Sequence, residues 1–231
     1  LLATLISTVN EYSNIARMVG NIDFEQVMHG VHMDNRWSPL DQDGLKVRPK
    51  IIDYLKPGCG YGGSCFPKDV MAISALAQNV GVAAPILSSV IDVNERQPQM
   101  ILDILKNQVN NLNEKEVLLL GLSFKPDTDD VRESVSLKLL QLLSGQVKSL
   151  SAHDPIAIAN AKRALNSNNN IDFVENWKVK LPKVDIIIIA TNWLEYSDLP
   201  NMGEDIAGKI VFDTRSLLTQ SDSSNFTYLT V

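Results

Sequence analysis

Val117-Leu118-Leu119-Leu120-Gly121-Leu122 decides the fold class, together with the polar Ser123–Asp130 stretch behind it and the helical spacing from Val131 to Leu143. An apolar run this short, interrupted by glycine near its end, reads as a buried strand. A helix directly behind it completes a strand–helix unit. Strand candidates recur at Val147–Ala152, Ile171–Val174, Asp185–Ala190, Ile210–Phe212 and Phe226–Val231, with helical or loop segments between them. Strands alternating with helices predict an α/β domain over 114–231, built on a parallel, doubly wound sheet.

Upstream the periodicity is helical. Leu2, Leu5, Ile6, Val9, Tyr12, Ile15, Ala16 and Val19 share a helical spacing that Gly20 stops. A second short helix is expected over Asp23–Met28. Residues 31–58 lack periodicity and carry Pro39, Gly44, Pro49 and Pro57, so they read as loop. A helix from about Pro67 to Asn79 ends near Gly81. Pro85 opens a longer one to about Asn107, which Pro98 is expected to kink or split. Residues 1–107 are thus a helical domain. Asn166–Asn170 reads as a polar loop.

Composition narrows the function classes. The net charge of −6 and scattered basic residues argue against a nucleic-acid surface, which needs clustered Lys and Arg. The longest apolar run, Val184–Ala190, is far short of the roughly 20 residues that span a bilayer. Two cysteines, Cys59 and Cys65, make no disulfide framework and lack zinc-ligand spacing, which fits a reducing, cytoplasmic setting. No signal peptide is visible, and the chain opens at Leu1 within a helical pattern, which reads as a fragment.

Chemistry concentrates in three segments. Gly58-Cys59-Gly60-Tyr61-Gly62-Gly63-Ser64-Cys65-Phe66-Pro67-Lys68-Asp69 matches G-x-G-x-x-G, but Lys56-Pro57 precedes it where a dinucleotide fingerprint needs a strand. Cys65 stands just before a helix, where free amides and the helix dipole favour a thiolate. Lys68 could add positive charge, Asp69 could orient a water, and the glycines could let backbone approach a ligand. The competing reading is a buried cysteine in a tight turn. The second segment, Gly121–Ser134, ends the first strand of the α/β domain, where such sheets bind ligands. Lys125 and Arg132 could grip phosphate there, or the acids Asp129, Asp130 and Glu133 could simply cap a helix. Third, Arg215 follows the strand Ile210–Phe212 and reads either as a crevice residue or as a surface arginine. His29, His32 and His153 have no ligand spacing.

Together these segments resemble the nucleotide-sugar dehydrogenases, the UDP-glucose/GDP-mannose dehydrogenase family, most closely its UDP-glucose 6-dehydrogenase branch. The resemblance runs collinearly through Val9-Asn10-Glu11, Asp34-x-Arg36, Gly60–Asp69, Val93-Asn94-Glu95-Arg96, Phe124–Ser134, Thr191-x-Trp193 and Asp213-x-Arg215. It implies a central helical part and a C-terminal Rossmann-like part, without the N-terminal NAD-binding domain; the family's lysine and asparagine on the first central helix would fall before Leu1. It further implies an NAD-dependent, two-step oxidation of UDP-glucose to UDP-glucuronate through a Cys65 thiohemiacetal and thioester, with Asp69 helping to activate water. Tyr54, Leu55, Lys56, Tyr61, Gly62, Phe124, Lys125 and Arg215 match substrate positions, Arg36 matches a residue reaching the partner subunit's substrate, and Lys68 and Arg132 match positions near NAD. GDP-mannose or UDP-N-acetyl-hexosamine oxidation is the same-family alternative, and a non-catalytic nucleotide-sugar binder is the other. Family members usually continue Asp-x-Arg with Ile-Gly; here Trp37-Ser38 follows, then an insertion through about Lys50. Partners are a UDP-sugar and a second copy. Ile86, Val90, Val93, Ile101, Leu102 and Leu105 give the long helix apolar surface that predicts a homodimer paired through it.

Overall fold

The computed structural model describes residues 1–165, 170–219 and 225–231. Of the polar loop expected at Asn166–Asn170, all but Asn170 lies outside them. The first half holds four helices: α1 (Leu2–Val19), α2 (Phe24–His32), α3 (Phe66–Asn79) and α4 (Pro85–Gln108). Asp23 caps the start of α2 by accepting the Gln26 amide at 3.0 Å, and the helix runs to His32, past its expected end at Met28. Pro98 does not split α4. A helix-interior proline costs about 3 kcal/mol. Here Gln97, Pro98, Ile101, Leu102 and Leu105 are all buried, and tertiary packing outweighs that cost.

The second half alternates β1 (Glu116–Leu120), α5 (Val135–Leu143), β2 (Ser149–His153), α6 (Ile158–Ala164), β3 (Ile171–Phe173), β4 (Ile186–Ile189), β5 (Ile210–Asp213) and β6 (Thr227–Thr230). All pairings are parallel, in the order β3-β2-β1-β4-β5-β6. Strands β1 and β4 are apolar because both sheet faces are covered. The order reverses between them, and in doubly wound sheets ligands bind beyond the carboxyl ends at that point. The helix expected from Val131 begins only at Val135. Glu133 has φ 50°, a left-handed conformation that no α-helix continues through.

One apolar cluster joins the two halves. Ile101, Leu102 and Leu105 of α4 pack with Val117, Leu119, Leu139, Leu140 and Phe212. This corrects the expected dimer face. Those three α4 residues are fully buried within the chain, and Val90 packs with Ala3, Ile6 and Tyr61. Of the six residues expected to be bare, Ile86 is exposed and Val93 half-buried. Uncovered apolar surface lies on α3, which has no buried residue and exposes Ile73, Leu76 and, just beyond it, Val80 at helical spacing, and on the end of α1, where Tyr12, Ile15, Met18 and Val19 are exposed. No described helix is long and apolar enough to cross a membrane.

Candidate active site

The Gly58–Gly63 turn lies on the carboxyl end of the sheet, at the β1/β4 switch point. Cys59 is buried, and its thiol approaches the Ala190 carbonyl, just past β4, at 3.7 Å. Three buried carboxamides hold the turn from the helical side. Asn10 of α1 accepts the Gly58 amide at 2.9 Å, and Gln97 of α4 donates to the Gly58 carbonyl at 2.8 Å. Asn94 both accepts from the Tyr61 amide and donates to its carbonyl, at 2.8 and 3.0 Å. Sequence reasoning gave these three no role. Their signal is the spacing Val90, Asn94, Gln97, Ile101, which puts two carboxamides on the buried face of α4. A buried carboxamide requires polar partners, and backbone of a tight turn supplies them.

The sheet side completes the hold. The Gly63 amide donates to the Arg132 carbonyl at 2.9 Å, and Arg215 donates to the carbonyls of Gly60 (2.9 Å) and Ala190 (2.8 Å). Arg215 is therefore a bridge between turn and strand end rather than a bare surface arginine. The glycines are needed for approach to the chain itself. A β-carbon on Gly58 would meet the Thr214 carbonyl at 2.7 Å, one on Gly62 the Glu133 carbonyl at 2.2 Å, and one on Gly63 the Phe124 ring at 2.7 Å. The space beside these glycines is filled by the protein's own backbone and the Phe124 ring.

Cys65 caps α3 as an exposed, unbridged thiol. Its carbonyl accepts the Asp69 amide at 2.9 Å, and Ser64 Oγ lies 3.9 Å from the sulfur. Lys68 turns to Asp69, at 3.2 Å, and both are exposed. Arg132 is held by Asp130 through Nε at 3.0 Å and Nη2 at 2.7 Å, bonds that raise its guanidinium above the usual range. Those bonds draw the Asp130 carboxyl below its usual range. Around the head of α3, Phe66 meets the rings of Tyr61 and Tyr54 edge-on, at 5.8 and 6.5 Å between centres. Lys125 Nζ sits 5.6 Å from the Phe124 ring centre.

The structure thus gathers Tyr54, Tyr61, Gly62, Cys65, Phe124, Arg132 and Arg215 around one turn. Leu55 is buried with Val9 and Met28, so its side chain belongs to the core. Lys56 lines a different space, a cavity of about 1080 Å³ bounded by the end of α1, by α2, the 46–57 loop and β6, with Arg17, Lys46 and Arg48 also on its wall. Cys65, Asp69, Phe124 and Lys125 are not on that wall. Arg36 is exposed and paired with Asp34 at 2.6 Å, away from the turn's contacts. Among the described residues no group of three or more His, Cys, Asp or Glu could hold a metal ion.

Comparison with known proteins agrees with this geometry. Residues 1–96 match the central domain, and residues 118–220 the UDP-binding domain, of the UDP-glucose/GDP-mannose dehydrogenase family. A UDP-glucose 6-dehydrogenase of Bacillus subtilis is 36% identical over 224 residues, 96% of this chain and 47% of its own length. One from Haloferax volcanii is 32% identical, over 97% of this chain and 48% of its own. A UDP-glucose dehydrogenase structure from Pyrobaculum islandicum superposes with a TM-score of 0.79 at 32% identity, covering 98% of this chain and 48% of that one. The chain spans about half the length of these relatives.

Proposed function

Because the chain belongs to the UDP-glucose/GDP-mannose dehydrogenase family, we propose that it is the substrate-binding and nucleophile-bearing portion of an NAD-dependent UDP-glucose 6-dehydrogenase. One observation carries this reading. Two segments far apart in sequence converge on the turn that ends in an exposed thiol: from one, Arg132 bonds Gly63 and Phe124 packs on Gly63, and from the other, Arg215 bonds Gly60.

In this reading Cys65 adds to a C6 aldehyde to give a thiohemiacetal, loss of a hydride and a proton turns that into a thioester, and hydrolysis to the carboxylate returns the thiol. Lys68 and Arg132 would form this chain's part of an NAD site, and NAD would supply the hydride acceptor for both oxidations. Asp69, one helical turn behind Cys65, takes a proton from the attacking water. Lys125, Phe124, Tyr54, Tyr61 and Gly62 contact the sugar nucleotide at the Cys65 turn, Leu55 does so only through its backbone and Lys56 from the neighbouring cavity, while Arg36 reaches a partner's site. A cytoplasmic, reducing setting keeps both cysteines free.

Two results are expected of the chain in solution. It binds UDP-glucose in calorimetry, with GDP-mannose weaker by tenfold or more, and mixed with UDP-glucose and NAD it produces no NADH. Absent UDP-glucose binding sinks the substrate reading; sustained NADH production sinks the division of labour. The chain is also expected to be a homodimer that covers the Ile73–Leu76–Val80 face of α3. A mass of one chain, 25.5 kDa, by light scattering at micromolar concentration overturns the pairing.

A further inference from the structure

Asp154 follows β2 and is 1% exposed. A buried carboxylate is costly unless donors surround it. Six do. Oδ2 accepts the amides of Leu122 (2.7 Å) and Ser123 (3.1 Å), Ser123 Oγ (3.1 Å) and Trp193 Nε1 (3.1 Å). Oδ1 accepts the amides of Ile156 (3.0 Å) and Ala157 (2.8 Å). One side chain thus ties together the ends of β1, β2 and β4. Three of its bonds go to Leu122 and Ser123, the two residues before Phe124 and Lys125. The carbonyls of the same two residues are taken as well, Leu122 by Ser134 Oγ at 2.7 Å and Ser123 by Thr191 Oγ1 at 2.6 Å. The turn has no freedom left up to Phe124, whose ring closes on Gly63, two residues from Cys65.

We propose that Asp154 is a positioning residue for the sugar nucleotide: its buried carboxylate fixes the Leu122–Ser123 turn and thereby sets Phe124 and Lys125 against the Cys65 turn. This rests on the reading of Phe124 and Lys125 as substrate contacts. A merely structural carboxylate would stabilise the sheet as a whole. A positioning one acts on ligand binding through Lys125 and on local order at the turn.

The test is Asp154→Asn in this chain. Both carboxylate oxygens face donors only, so an amide NH2 of the same shape leaves at least two donors without an acceptor. Without ligand, amide exchange over residues 122–132 is expected to quicken tenfold or more, with β4 and α4 unchanged. Uniform acceleration, or none, overturns the proposal. In calorimetry, Asp154→Asn is expected to weaken UDP-glucose binding about tenfold, but less than twofold when Lys125→Ala is already present. A full additional loss in that background means that Asp154 acts elsewhere, and overturns it. If the parent chain does not bind UDP-glucose, the substrate reading fails, and a local exchange change still upholds the fixing of the turn. Should Asp154→Asn not fold, Ser123→Ala removes one bond to Oδ2. It is expected to give a two- to threefold loss that is also absent beside Lys125→Ala; an additive loss overturns the proposal.

Discussion

Cys65→Ser, in a full-length protein carrying this chain, is expected to lower acid formation by about a thousandfold or more, with UDP-glucose affinity within about threefold. The thiol is exposed at the head of α3, so it can meet an aldehyde without rearrangement of the core. A serine hydroxyl is far less acidic and needs a base. The polar neighbour of the sulfur is Ser64 Oγ at 3.9 Å, a hydroxyl and not a base. A thioester cannot form on serine, so the four-electron oxidation stalls. The residues that grip the ligand are untouched, which is why affinity persists. Cys59→Ser is the matched control. Its thiol is buried against the Ala190 carbonyl, so the change should alter stability by about 1 kcal/mol and leave most activity. Steady-state NADH production reads catalysis, and calorimetry reads binding separately. Near-parental acid formation by Cys65→Ser would end the thioester mechanism for this protein, and a dead Cys59→Ser would move the nucleophile to the other cysteine.

Gly62→Ala is expected to destabilise the chain by about 3 kcal/mol, the upper range for forcing a methyl group into packed backbone. The added carbon would stand 2.2 Å from the Glu133 carbonyl oxygen and 2.9 Å from its carbon, with Phe124 Cβ at 3.3 Å on another side. Glu133 cannot yield easily. Its φ of 50° is already strained for a residue with a side chain, and the Ser134 hydroxyl beside it is bonded to Leu122. The turn must therefore part from the 130s segment, breaking the Gly63–Arg132 bond and the Phe124 contact. Gly44→Ala provides the contrast. Gly44 has φ 77° but open space around it, so only the conformational cost of about 1 kcal/mol applies. Thermal unfolding of both variants checks the difference. Equal small losses would mean that the turn and the 130s segment are not held together as described.

The backbone plan was legible because periodicity is local. An apolar run such as Ile186–Ile189 buries on both faces in a sheet covered by helices, and its four consecutive isoleucines show that without reference to anything distant. Each strand candidate became a strand in one parallel sheet, with ends shifted by a residue or two. Cys65 was legible for the same reason: glycines, thiol and helix start lie in one stretch.

What the sequence alone could not decide is which residues meet. Val90, Ile101, Leu102 and Leu105 look like a bare stripe until β1, α5 and β5 close over most of it, and burial is a property of the neighbours rather than of the stripe. Arg215 looks like a surface charge until its two carbonyl acceptors, 155 and 25 residues away, are brought beside it. Asp154 gives little local sign of holding six donors, because four of them come from two distant stretches of chain, Leu122–Ser123 and Trp193. The sequence by itself determined the parallel sheet, the helical half and the cysteine with its family. Tertiary structure decided where the thiol's turn sits and what holds it there, because hydrogen bonds across long sequence separations are set by the packing of the whole chain and not by residue spacing.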